Sequence, residues 1–126
     1  MEGQGQSAAG KARVLVDARH QPRFKLVVDI TLTSRSCGIL KGQTVDISQS
    51  GVSVMLRLEA PVGDLVELQF VLPLGSVKVY AIVRQRNAFR YGLQFVGNSP
   101  NEIILATCRI LEVEASLRQS TIPIKG

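Results

Sequence analysis

The chain has little of what hydrolytic and metal sites are built from. Among its 126 residues there are one histidine, two cysteines and no tryptophan. Any Ser-His-Asp or Cys-His arrangement would rest entirely on His20, which sits between Arg19 and Gln21 in a polar stretch, and the carboxylates are scattered. Cys37 and Cys108 are far apart, with no second Cys or His beside either. That is not the spacing of a metal cluster, and two free thiols is a plainer reading than a disulfide. The sequence is therefore expected to be neither an enzyme nor a holder of a metal or cofactor. No apolar run approaches the roughly 20 residues of a membrane span. The residues before Lys11 lack the apolar core of a secretory signal and read as a flexible tail, set at 1–17. Aromatic residues are only 5% of the chain. That is a poor supply of stacking platforms for single-stranded nucleic acid.

What is present is enough for one domain. Hydrophobic residues make up 45% of the sequence, which supports a single core and excludes wholesale disorder. The net charge is +5, with arginine outnumbering lysine. Such a surface attracts anions, and guanidinium forks suit phosphate and guanine in particular.

From Phe24 onward the pattern alternates. Phe24, Leu26, Val28, Ile30 and Leu32 would share one face of a first strand. A polar loop is expected over 34–42, then strands over 43–48 and 52–58. Two further strands place Val66, Leu68, Phe70 and Leu72, then Val77, Val79, Ala81 and Val83, on core faces. Tyr91, Leu93 and Phe95 give a sixth. The period then changes. Ser99-Pro100-Asn101-Glu102 resembles a capping box with Ser99 as N-cap. Ile103, Ile104, Thr107, Ile110, Leu111 and Leu117 recur at helical spacing, predicting one amphipathic helix that ends between 115 and 118. The expected fold class is all-β, a small six-stranded antiparallel barrel covered by a C-terminal helix, over residues 18–118, with a short tail at 119–126. Closing the sheet removes its exposed edges.

Two groups of residues carry chemistry. Arg19 and Arg23, four apart, face the same way in extended or helical chain, and two guanidinium forks on one side suit a ligand with two phosphates. The spacing alone is weak, since a chain of this composition holds about one such pair by chance. A second pair, Arg86 and Arg90, reads as a solvated loop. The second group is Asp46-Ile-Ser48-Gln-Ser-Gly51. With Val45 and Ile47 facing the core, Asp46 and Ser48 would look outward side by side. A carboxylate there accepts from the N–H groups of guanine, and Gly51 would permit a positive φ in the connection. The plainer reading is a turn in which Ser48 and Ser50 serve the backbone.

In order and placement, Arg19-x-x-x-Arg23 before the first strand and Asp46-x-Ser48-x-x-Gly51 between strands two and three resemble the PilZ family. Arg90-Tyr-Gly-Leu-Gln-Phe95, followed by a capped helix, also looks like that family's last strand and closing helix. The resemblance spans about residues 18–111. It implies a bacterial, cytoplasmic receptor for cyclic di-GMP. Arg19 and Arg23 would wrap the ligand's phosphates and guanines, Asp46 and Ser48 would contact a guanine, and Gly51 would shape the turn. The segment up to about residue 22 would be loose in the free protein, its two arginines repelling each other until the ligand orders it for a downstream protein partner. Ala18 stands where members that bind a stacked ligand dimer carry a basic residue, so ligand stoichiometry is not fixed. A homodimer stays open as well. The alternatives are a ligand-free adaptor acting through protein contacts and a basic barrel that binds nucleic acid, the weakest of the three readings.

Overall fold

The computed structural model describes residues 21–97 and 101–125, with side chains described as far as Arg118. Arg19, the expected tail over 1–17, and Ser99 and Pro100 of the expected capping box lie outside the described residues.

The alternating segments form β1 (Phe24–Lys25), β2 (Asp29–Ser34), β3 (Gly38–Ile47), β4 (Gly51–Leu56), β5 (Leu65–Leu72), β6 (Gly75–Asn87) and β7 (Arg90–Val96), followed by α1 (Glu102–Lys125). All pairings are antiparallel. The order runs β1-β3-β2-β5-β6-β7-β4, and β4 pairs back onto β3 to close the sheet. Because β1 and β2 both pair with β3, from the same side, they act as one strand in two pieces. The result is the closed six-strand barrel with a C-terminal helix that the alternation predicts.

The core follows from period two. Ile30 and Leu32, then Val52, Val54 and Leu56, then Val66, Leu68, Phe70 and Leu72 point inward and are almost fully buried. Tyr91 is buried too, its hydroxyl accepting the N–H of Ala60 at 3.3 Å. A buried phenol needs such a partner.

Several boundaries differ from the sequence reading. The first strand is interrupted at 26–28, where Thr44 takes over the pairing. Its Oγ1 accepts the Val28 N–H at 2.9 Å and donates to the Leu26 carbonyl at 2.5 Å. The polar segment 34–42 is mostly strand, since β3 begins at Gly38 and pairs Leu40 with Leu32. Its polar look arises because Lys41 faces solvent beside an exposed Ile39, while Leu40 alone carries the inward signal.

Among the described residues it is Asn101 that caps the helix. Asn101 Oδ1 accepts the Ile104 N–H at 3.0 Å, and the Asn101 carbonyl accepts the Leu105 N–H at 3.0 Å. Ile104, Thr107 and Cys108 are buried against the barrel, with Ile103 and Leu111 packed beside them. Ile110 and Leu117, expected on that stripe, are exposed. The helix also runs on to Lys125 through the expected stop at 115–118 and the expected tail. No glycine stands between Gly97 and Gly126 to end it. Among the described residues no helix is long and apolar enough to cross a membrane. Both cysteines are free thiols.

Candidate functional site

The site grows out of an irregularity in β3. Leu40 and Thr44 face the interior, so strict alternation would send Asp46 inward as well. Instead the pairing with β4 steps from Thr44–Val54 to Asp46–Ser53, leaving Val45 as an extra residue. This β-bulge shifts the parity by one. Ile47 turns inward, fully buried, and Asp46 turns out onto the barrel wall. Val45, expected in the core, is only half-buried for the same reason.

Beside Asp46 the register builds a row across four strands. Asp46 pairs with Ser53 of β4, Ser53 with Gly92 of β7, and Gly92 with Gln85 of β6. A second register shift, between Val83 and Gln85, lies at the far end. Adjacent strands are about 5 Å apart, so the row spans roughly 15 Å of outer surface with a small residue at its centre. A Cβ on Gly92 would sit 2.9 Å from Cγ of Gln85, so the glycine keeps that centre low.

Arg23, just before β1, reaches this wall. Its Nε and Nη2 lie 2.8 and 2.7 Å from Asp46 Oδ1, its Nη2 donates to Ser53 Oγ at 3.2 Å, and its Nη1 approaches Ser48 Oγ at 3.5 Å. The arginine segment and the Asp46 segment therefore meet on one face of the barrel. Arg23 is already docked in the free chain, where the Asp46 carboxylate compensates its charge; Arg19 and the segment expected to be loose before residue 21 lie outside the described residues.

Ser48 does not stand outward beside Asp46. It is fully buried, and its hydroxyl accepts the N–H groups of Ser50 and Gly51, each at 3.2 Å, while its own N–H donates to the Gly51 carbonyl at 2.8 Å. The turn reading is the one realised, because three backbone groups at the end of the hairpin need partners. Gly51 is not in the left-handed region either. It is a β4 residue with its Cα against β7, where a Cβ would lie 2.3 Å from the Leu93 carbonyl oxygen. The glycine is needed for close approach of backbones, not for handedness.

One residue of the site was read differently from the sequence. Arg90, taken as part of a solvated pair, donates from Nη2 to Asp46 Oδ2 at 2.8 Å. Arg86 goes elsewhere, to Glu59 at 3.0 Å and to the Ala88 carbonyl at 3.0 Å, with its guanidinium 5.6 Å from the Tyr91 ring centre. Asp46 thus holds one guanidinium on each oxygen. Its side chain is 17% exposed, against 45% for Arg23 and 53% for Arg90. Chemically the wall offers a carboxylate acceptor pair, two guanidiniums and a hydroxyl around a shallow floor. That donor and acceptor set fits a ligand with both anionic oxygens and amide-like N–H groups.

No curated protein matches the sequence. Among solved structures the fold is similar to the PilZ domain with cyclic di-GMP of YcgR from Escherichia coli, at a TM-score of 0.63 and 15% identity, covering 81% of this chain and 97% of that one. It is also similar to the Bacillus subtilis inhibitor of motility MotI, at a TM-score of 0.58 and 19% identity, covering 82% of this chain and 52% of that one. A third is the Klebsiella pneumoniae MrkH–cyclic di-GMP complex, at a TM-score of 0.54 and 17% identity, covering 85% of this chain and 53% of that one. The chain spans about half the length of the last two. The model of the PilZ domain family matches residues 17–111, most of the sequence, and the chain belongs to the PilZ family.

Proposed function

We propose that this protein is a receptor for cyclic di-GMP, with Arg19, Arg23, Asp46, Ser48 and Gly51 as its ligand site. The observation that supports it most is the convergence of Arg23 on Asp46 and Ser53 at 2.7–3.2 Å, across 23 and 30 residues of sequence. Asp46 accepts the N–H groups of a guanine edge, and the arginines take phosphate oxygens and the guanine acceptors. Ser48 and Gly51 act through the turn: the one ties the hairpin end and the other lets β4 lie close to β7. Arg19 closes over the ligand from the chain entry, and the segment that it orders presents a surface to a protein partner. The protein works by binding rather than catalysis.

The magnitudes are adequate. Exposed ion pairs such as Arg23–Asp46 are worth about 0–1 kcal/mol, so displacing them costs little. Contacts to charged groups contribute roughly 1.5–3 kcal/mol each, and four give about 6–12 kcal/mol before ordering costs. Micromolar binding needs about 8 kcal/mol.

The test is a calorimetric titration of the full chain with cyclic di-GMP, followed for affinity and for ligand-to-protein ratio. Wild type is expected to bind, and Arg23→Ala to lose measurable binding with an unchanged circular dichroism spectrum. A wild type that ignores the ligand refutes the receptor reading, and undiminished affinity in Arg23→Ala refutes the site. Salt dependence separates the nucleic-acid alternative, because a protein contacting many phosphates loses affinity steeply with salt.

A further inference from the structure

Asp46 presents two oxygens, and in the free chain each is taken by a different arginine: Oδ1 by Arg23 and Oδ2 by Arg90. A guanine edge carries two neighbouring donors, the ring N1–H and the exocyclic N2–H, which match a carboxylate's two oxygens. Seating that edge on Asp46 therefore sets it in competition with both guanidiniums for the carboxylate. The two are then in different positions. Arg23 keeps hydroxyl acceptors at Ser53 and Ser48. Arg90 has no other side-chain partner among the described residues, so its donors are released beside the incoming ligand.

We propose, resting on the receptor reading above, that Arg90 is a third ligand-binding guanidinium, stored on Asp46 in the free protein and transferred to the dinucleotide when guanine takes the carboxylate. Its placement suits the role. Arg90 opens β7, where its backbone pairs with Met55 of β4 and Asn87 of β6, so the strand fixes its base while the side chain stays half-exposed. It lies two residue pairs along from the Ser53–Gly92 floor, which by the two-residue period puts it on the same outer face. Once released it meets a ligand rich in what a guanidinium fork accepts: phosphate oxygens and guanine O6 and N7. The charge balance points the same way. With Asp46 bonded to guanine, Arg23 and Arg90 leave this part of the wall at +1, facing a ligand that carries two negative charges. Without Arg90 that part is neutral.

Two other roles for Arg90 make opposite predictions. As a latch competing with the ligand for Asp46, its removal would tighten binding. As a residue that only orients Asp46, its removal would cost nothing once the Asp46 charge is gone. The experiment is a calorimetric cycle on the full chain with cyclic di-GMP, using wild type, Arg90→Ala, Asp46→Asn and the double variant, with Arg86→Ala as a neighbour of equal charge. Asp46→Asn keeps an acceptor oxygen for guanine but cannot form the ion pair. Arg90→Ala is expected to weaken binding about 10- to 100-fold, the loss of one contact to a charged group. A similar loss is expected in the Asp46→Asn background, with Arg86→Ala close to wild type. Melting temperatures should stay near wild type, since the exposed pair adds little to stability. Unchanged or tighter binding in Arg90→Ala overturns the proposal, as does a cost that vanishes with Asp46→Asn. Either result leaves wild-type binding, and with it the receptor reading, intact. A wild type that does not bind removes both.

Discussion

Replacing Gly51 with alanine tests why the motif needs glycine at that position. If the requirement were a left-handed turn, asparagine, which tolerates that region, would be the best substitute. The structure gives another reason. A Cβ at Gly51 would lie 2.3 Å from the Leu93 carbonyl oxygen, with the Leu93 carbonyl carbon at 3.4 Å and the Gln94 Cα at 3.5 Å. That is roughly 1 Å inside an ordinary contact, against backbone that a rotamer change cannot move. Relief requires β4 and β7 to separate where Ser50 accepts the Phe95 N–H at 2.9 Å. Overpacking of this kind costs about 1–3 kcal/mol, offset by up to about 1 kcal/mol from the stiffer unfolded chain. A net loss of about 1–2 kcal/mol lowers the melting temperature by roughly 4–16 °C in a domain of this size. Thermal unfolding by circular dichroism would measure it for Gly51→Ala and Gly51→Asn. The larger side chain should be the worse of the two. An alanine variant that melts with wild type, or an asparagine variant more stable than alanine, refutes the close-approach argument.

Asp46→Ala should reduce discrimination between cyclic di-GMP and cyclic di-AMP more than it reduces phosphate affinity. Comparable binding of the two ligands by wild type would contradict the guanine role. Asn101→Ala removes the acceptor of the Ile104 N–H and should destabilise the protein by about 1 kcal/mol, whereas Ser99→Ala should be close to neutral. Chemical denaturation of the two variants decides which residue caps the helix. Burial, with a smaller contribution from Glu112, pushes the Cys108 thiol above its ordinary range. The folded state thus holds that proton longer than the unfolded chain does, so its stabilising effect is complete below the ordinary thiol pKa of about 8.5. It is lost as pH rises from there through the folded value. Melting temperature should fall across that alkaline window in wild type and fall less in Cys108→Ala. Parallel pH profiles would rule this out.

The strands, their inward faces and the helix are legible in the sequence because burial of one face imposes a two-residue period on a strand and a three-to-four-residue period on a helix. Val52, Val54 and Leu56, or Val66, Leu68, Phe70 and Leu72, leave no other arrangement that hides them. The residue types of the candidate site were legible as well, since Arg23 and Asp46 stand in recognisable local patterns. Only the tertiary structure determined which way those residues point and what they meet. The Val45 bulge reverses the parity and so turns Asp46 outward, and a bulge is a property of two paired strands, which one strand's alternation does not encode. Ser48 faces inward because the hairpin end needs a hydroxyl, and Gly51 is small because β7 passes close behind it. Arg90 reaches Asp46 across 44 residues through a register that follows from closing the barrel. Local periodicity is set by which side of the chain is buried; long-range contact is set by which strands become neighbours, and that follows only once the sheet has closed.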